Sequence, residues 1–293
     1  MGEGLRALAI TLAALGAVAM AFGAQFQNDA VVKRAPSSEG KGSLSFKQLI
    51  SLIARPKWLS GTAFMGLAIL LQIGALGLAP LIVVQPIGAI ALVITSLLNA
   101  RATKAKISKA TMVAIALCSA GIAAFVVMAT GVAKEIELND DRLREVLITL
   151  VVILAVFGAL FLIFGKRLNA LTYILGAGTL YGFVATLAKV VIQRIYQGDF
   201  EWLTLLCVGG LLTAVALGGW FVQNAYASGP PDLVIAGLTV IDPLVAVSIG
   251  IVILGEAQQA NLGTMIGFGL SAVVAVAGVY LLSKVHPELR SAR

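Results

Sequence analysis

Apolar residues in this chain run in blocks of roughly 20, the length a helix needs to cross a hydrocarbon core. The blocks fall at 5–25, 58–78, 80–100, 110–131, 146–165, 170–193, 202–226, 232–254 and 261–283. They predict nine transmembrane helices. The second and third meet at Ala79-Pro80 with almost no loop, so a re-entrant or split span there would move the count by one. Between the first two blocks, Phe46, Leu49, Ile50, Leu52 and Ile53 recur before Pro56 and Trp58. That spacing predicts a short helix over 45–54 lying in the membrane interface.

Composition agrees with the blocks. With 59% hydrophobic and 12% charged residues and a mean hydropathy of +0.99, the chain has too little polar surface to cover a soluble globule of 293 residues. The expected fold is an all-α integral membrane bundle whose immediate partner is the lipid bilayer. The net charge of +7 gives no ground for a nucleic-acid partner, because Lys and Arg gather in short cytoplasmic loops of membrane proteins. With nine alternating spans, fifteen of the 21 Lys and Arg fall on one side. Arg6, Lys134, Arg142, Arg144 and Arg194 fall on the other, and Lys189 lies within a span. The expectation is a multi-pass protein of the plasma membrane, N-terminus outside and C-terminus in the cytoplasm.

Several chemistries are not expected. Cys118 and Cys207 sit in apolar spans without metal-like spacing, and the one histidine, His286, lies past the last helix. Gly40-Lys41-Gly42-Ser43 lacks the spacing of a phosphate loop. With no Cys/His cluster and no nucleophile elbow, neither catalysis nor a cofactor is expected. The first block, followed by Ala21-Phe22-Gly23-Ala24, has some likeness to a signal peptide. Its n-region carries only Arg6, offset by Glu3, and its apolar part is long, which favours a retained helix.

An internal repeat organises the rest. Ala75-Leu76-Gly77-Leu78-Ala79-Pro80, followed by Gln85-Pro86, is echoed in the same order by Ala225-Tyr226-Ala227-Ser228-Gly229-Pro230, followed by Asp242-Pro243. The match needs a gap, since the second pair of landmarks stands farther apart. The division that follows is a first four-helix repeat over 1–131 with a cytoplasmic loop at 33–57, a linker helix region over 132–169, a second four-helix repeat over 170–283 and a tail over 284–293. A single linker span gives the halves opposite orientation, a 4+1+4 inverted repeat of the kind that rocks around a midplane site.

Pro56-Lys57-Trp58-Leu59-Ser60-Gly61, the run Ala79 to Ala89, Pro243, and Leu254-Gly255-Glu256 before a Gly-rich last helix resemble the drug/metabolite transporter superfamily. Within it the nine-span pattern is similar to EamA-like permeases and NIPA-type magnesium transporters. The resemblance covers about 56–131 and 170–283. It implies an inverted-repeat bundle and export or uptake of metabolites, drugs, nucleotide sugars or magnesium. Two departures stand out: Leu98-Asn99-Ala100 replaces a Leu-Gly-Glu ending in the first half, and nine spans replace the usual ten.

The candidate site rests on proline and an intramembrane acid. Proline removes an amide donor and clashes with the carbonyl four residues back, so Pro86 and Pro243 should each kink a helix and free a carbonyl at membrane depth. Beside them stand Gln85 and Asp242. An ionisable group near the bilayer centre costs several kcal/mol unless it faces protein or water, so Asp242 is the leading candidate to carry a proton or bind a cation. Its structural alternative is to cap the helix segment after a kink. Lys189 comes second, either pairing with Asp242 through tilt or snorkelling to the outer interface. Gln72, Gln223, Asn224, Tyr181 and Tyr226 are further cavity candidates, or plain helix-to-helix glue. Glu256 and Asp29 occupy predicted helix ends, where a carboxylate stays hydrated. The stripes Ala13, Ala17, Ala21 and Gly263, Gly267, Ser271, Ala275 offer close packing, within the bundle or across a homodimer.

Three readings follow. The first is a proton-coupled permease for a small molecule, working by alternating access with Asp242 as the titrating group. The second is a magnesium or other divalent-cation transporter with Asp242 as the carboxylate ligand beside freed carbonyls. The third is a non-transporting scaffold or lipid-pathway accessory, in which Asp242 is replaceable.

Overall fold

The computed structural model describes residues 3–32, 56–102, 108–134, 136–164, 168–228 and 231–285. Among them there is no strand. The helices are α1 (Glu3–Val32), α2 (Pro56–Leu78), α3 (Leu81–Gly88), α4 (Ile90–Ala102), α5 (Lys109–Val132), α6 (Asp140–Phe164), α7 (Ala170–Gln197), α8 (Trp202–Ser228), α9 (Pro231–Val252) and α10 (Leu262–Val285). With α3 and α4 taken as one broken span, nine helices among the described residues are long and apolar enough to cross a membrane. The chain thus has a multi-pass, all-helical membrane architecture. The interfacial helix expected over 45–54 lies outside the described residues.

Local chemistry sets several boundaries. Ser108 and Asn169 cap α5 and α7 by accepting from Thr111 N and Thr172 N. Gly198, left-handed at φ 78°, ends α7. Helix α6 starts six residues earlier than its apolar block, at Asp140. Asp140 and Asp141 in the first turn favour that start, because carboxylates complement the positive end of the helix dipole, and Asn139 Oδ1 accepts from Arg142 N. Pro86 lies inside α3, which ends two residues beyond it, and the chain turns at Ala89 before α4. At Pro243 α9 continues without a break.

The helices pair in a regular way. α1 packs along α2, and α7 along α8; the third span of each group, α3/α4 and α9, lies against the first, α1 and α7. α5 and α10 pack along each other, and α3 meets α9. Helix α6 sits at the periphery on α8 and α7, with Ile148, Val151, Leu162 and Ile163 exposed. Missing side chains permit the tightest contacts. A Cβ on Gly121 of α5 would lie 2.6 Å from Ala275 N of α10, and one on Gly182 of α7 would lie 2.7 Å from the Val245 side chain of α9. The stripe on α10 is therefore used inside the molecule, through Gly267, Ser271 and Ala275 against α5, while Gly263 meets only Asn261. Ala13, Ala17 and Ala21 are buried.

Candidate functional site

The α2–α3 junction is buried. Ala75, Leu76, Ala79 and Leu81 to Val84 are all almost completely shielded, although a chain leaving one helix and entering another exposes carbonyls at the first end and amides at the second. Proline at position 80 supplies no side-chain cap for α3. Two charged side chains from the distant half satisfy the break. Lys189 of α7 donates through Nζ to Leu76 O at 2.7 Å and Ala79 O at 2.9 Å. Glu256, between α9 and α10, accepts from Leu81 N at 2.8 Å and Ile82 N at 2.9 Å, one amide to each carboxylate oxygen. Cation on carbonyls and anion on amides both match the helix dipoles. Lys189 is 1% exposed and Glu256 3%. Snorkelling of Lys189, one of its two alternatives from sequence, and hydration of Glu256 at a helix end are thus corrected: each is held inside by main-chain groups.

Glu256 reaches the junction because the chain reverses sharply behind α9. Ile253 N and Leu254 N both donate to Ile249 O, Gly255 takes a left-handed φ of 71°, and Glu256 N returns to Gly250 O at 2.9 Å. A Cβ on Gly250 would stand 2.8 Å from Glu256 Oε2, so the missing side chain makes room for the carboxylate. Glu256 O also accepts from Lys134 N. The same end of the bundle holds Arg6, whose guanidinium donates to Thr130 O and Ala133 O at the end of α5. It holds Arg194 too, which donates to Leu138 O and pairs with Asp140 at 2.6 Å and Asp199 at 3.4 Å.

Asp242 lies deeper and apart from Lys189. A Cβ on Gly178 of α7 would be 3.4 Å from Asp242 N, which fixes the level of Asp242 on that helix. Lys189 stands eleven residues farther along α7, on the order of 16 Å at 1.5 Å per residue. The ion pair considered from sequence is not formed by this register. Asp242 shares the α9 face of Ala246 and Ile249, both in the main apolar core, and its Oδ1 is buried without a hydrogen-bond partner among the described residues. No group of three His, Cys, Asp or Glu side chains suited to a metal occurs among those residues, so a cation site here would rest on one carboxylate and main-chain oxygens.

Pro86 and Pro243 do meet, lining one cleft with Phe125, Ser271 and Ala275. Asp242, on another face of α9, does not line it. Gln85 is buried on α3 and Gln72 half-buried on α2. Tyr181 turns its ring toward Gly218 of α8. Asn224 donates to Trp220 O in its own helix. Gln223 is exposed, which removes it from an interior site. The side chains of Tyr226 and Asp29 lie outside the described residues.

Among known proteins, the chain is similar to an uncharacterized protein of Corynebacterium glutamicum, 27% identical over 281 residues that cover 94% of this chain and 95% of that one. No family model and no solved structure matches.

Proposed function

We propose that this protein is a secondary transporter, a permease of the drug/metabolite transporter type that moves a small molecule across the plasma membrane by alternating access. The observation that carries the reading is Asp242 Oδ1, buried inside a membrane-spanning helix without a hydrogen-bond partner among the described residues. An ionisable side chain within a span is a functional candidate by default, and a span interrupted as α3/α4 is resembles the discontinuous helices that build many transport sites. The clamp on the α2–α3 turn comes from α7 and the α9–α10 turn, so the first and second groups of helices share it. The like pairing of α1 with α2 and of α7 with α8, and of α3/α4 and α9 with α1 and α7, supports a 4+1+4 inverted repeat with α6 as linker. Asp242, whose Oδ1 is buried without a hydrogen-bond partner among the described residues, is the group that exchanges a proton in each cycle. The clamped end, with Arg6 and Arg194, faces outward, and the C-terminus is cytoplasmic.

Flux in proteoliposomes tests this. A pH-sensitive dye inside, with magnesium or a panel of metabolites outside, should report substrate-driven proton movement that is lost in Asp242→Asn. Magnesium flux without proton movement would move the assignment to a cation transporter, and equal flux in both proteins would remove Asp242 from the mechanism.

A further inference from the structure

The two groups of helices, α1 to α5 and α7 to α10, are joined by polar contacts at one end and by close backbone packing farther in. Lys189 and Glu256 carry four hydrogen bonds from the second group to the α2–α3 junction, and Lys134 N, just past α5, adds one to Glu256 O. The closest apolar seam lies between α5 and α10. A Cβ on Gly278 of α10 would collide with Cys118 N of α5, and one on Gly121 would stand 2.6 Å from Ala275 N. These contacts sit at and beyond mid-helix, away from the junction. Between the two levels, Lys189, Thr186, Gly182 and Gly178 recur at spacings of three, four and four, which puts them on one face of α7. That face leads from the junction to Asp242, whose N would be 3.4 Å from a Cβ on Gly178. Thr186, on the way, is completely buried.

We infer that Lys189 and Glu256 are a gate: they shut the bundle at the α2–α3 junction, and their release, with the helix groups turning about the α5–α10 seam, uncovers the α7 face that leads to Asp242. The inference deepens the transport reading and rests on it. Main-chain groups at a helix end need partners in either state. The two side chains supply them when the gate is shut, and water does when it is open. Exchange of these hydrogen bonds for bonds to water has a small net cost, and both charges regain the hydration that burial took from them. The shut and open arrangements are thereby close in free energy, as a gate requires. The α5–α10 seam gains nothing of the kind on parting, because touching backbones would lose their packing with no charge to rehydrate. Movement is therefore expected at the junction and not at the seam.

The test is thiol labelling of the full chain in sealed right-side-out and inside-out membrane vesicles, with a membrane-impermeant methanethiosulfonate and adducts mapped by peptide mass spectrometry. The reporter is Thr186→Cys in a Cys207→Ala background, with buried Cys118 at the α5–α10 seam kept as an internal control. Glu137→Cys, at an exposed position near the junction, identifies in a separate sample which vesicles present that side. The reporter should label slowly in the otherwise unmodified protein. Glu256→Gln, and independently Lys189→Met, should raise its rate from the junction side by about tenfold or more, the change in an equilibrium constant for one charged hydrogen bond lost, while Cys118 stays unlabelled. No rise in either variant would overturn the inference. So would a rise seen equally from both sides, or one accompanied by labelling of Cys118, which is the pattern of a loosened fold. Labelling is read without substrate, so the two readings fail separately: sided opening in a protein without flux removes the transport reading, and proton-coupled flux with an unresponsive reporter removes the gate.

Discussion

Replacing Glu256 tests the clamp at its strongest point. Alanine there leaves Leu81 N and Ile82 N buried without their acceptor. Hydrogen bonds to a charged group contribute about 1.5–3 kcal/mol each, so the pair amounts to ~3–6 kcal/mol before the junction relaxes. Glu256→Gln keeps one carbonyl oxygen but turns an NH2 toward the other amide, and should lose about half as much. For chains somewhat smaller than this one, 1 kcal/mol moves Tm by ~2–4 °C. The expected fall is on the order of 5–10 °C for alanine and roughly half that for glutamine. Thermal unfolding in detergent, followed by size-exclusion of the heated sample, reads both. A double-mutant cycle with Lys189→Met adds a sharper check: because both side chains hold one break, the combined loss should be smaller than the sum by ~0.5–3 kcal/mol. Equal Tm values for the parent, Glu256→Gln and Glu256→Ala, all monodisperse, would refute the clamp. Strict additivity with Lys189→Met would refute the shared junction.

Other substitutions probe separate features. Gly255→Ala forces a side chain into the left-handed region at about 1–2 kcal/mol and aims its Cβ at the Arg142 guanidinium, 2.8 Å away, so Tm should fall in the same unfolding assay. Gly121→Leu should prevent α5 from closing on α10 and abolish monodisperse expression, whereas the same change at Gly131, where nothing lies within 4 Å, should be tolerated. Arg194→Ala removes donors from Asp140, Asp199 and Leu138 O and should lower Tm more than Arg194→Lys, which retains a charge but not the fork. Asp242→Asn should leave Tm unchanged or raised, since an amide is less costly to bury than an unpaired carboxylate, while removing proton-coupled flux.

Much of the architecture can be read from hydrophobic blocks, because a bilayer demands long apolar runs and the described helices follow them closely. Pro86 marks the span in which α3 gives way to α4, since proline weakens its own helix. What sequence spacing hides is register between distant helices. Lys189 reads as a misplaced cation until α7 is laid beside α2, 110 residues away along the chain at Ala79. Glu256 reads as a hydrated end for the same reason. A signal was present nonetheless: α3 begins after a proline that cannot cap it, and Gly255 ahead of Glu256 allows a tight reversal that presents a carboxylate. A helix start without its own acceptor, in a chain with few acids, calls for an acceptor from elsewhere. Polarity alone singles out Asp242 in the sequence but not the face it takes, because Pro243 beside it lines a different space.

The clamp also orders the making of the molecule in time. Leu81 and its acceptor are 175 residues apart, so at ~5–20 residues per second the ribosome needs roughly 9–35 s to supply Glu256 after Leu81 has been synthesised. Throughout that interval the first turn of α3 lacks its final acceptor, and the third span, early in the sequence, is among the last to be fixed. Nascent chains stopped before the α9–α10 turn should therefore leave this span accessible to the insertion and quality-control machinery, making completion of the turn a late checkpoint in biogenesis.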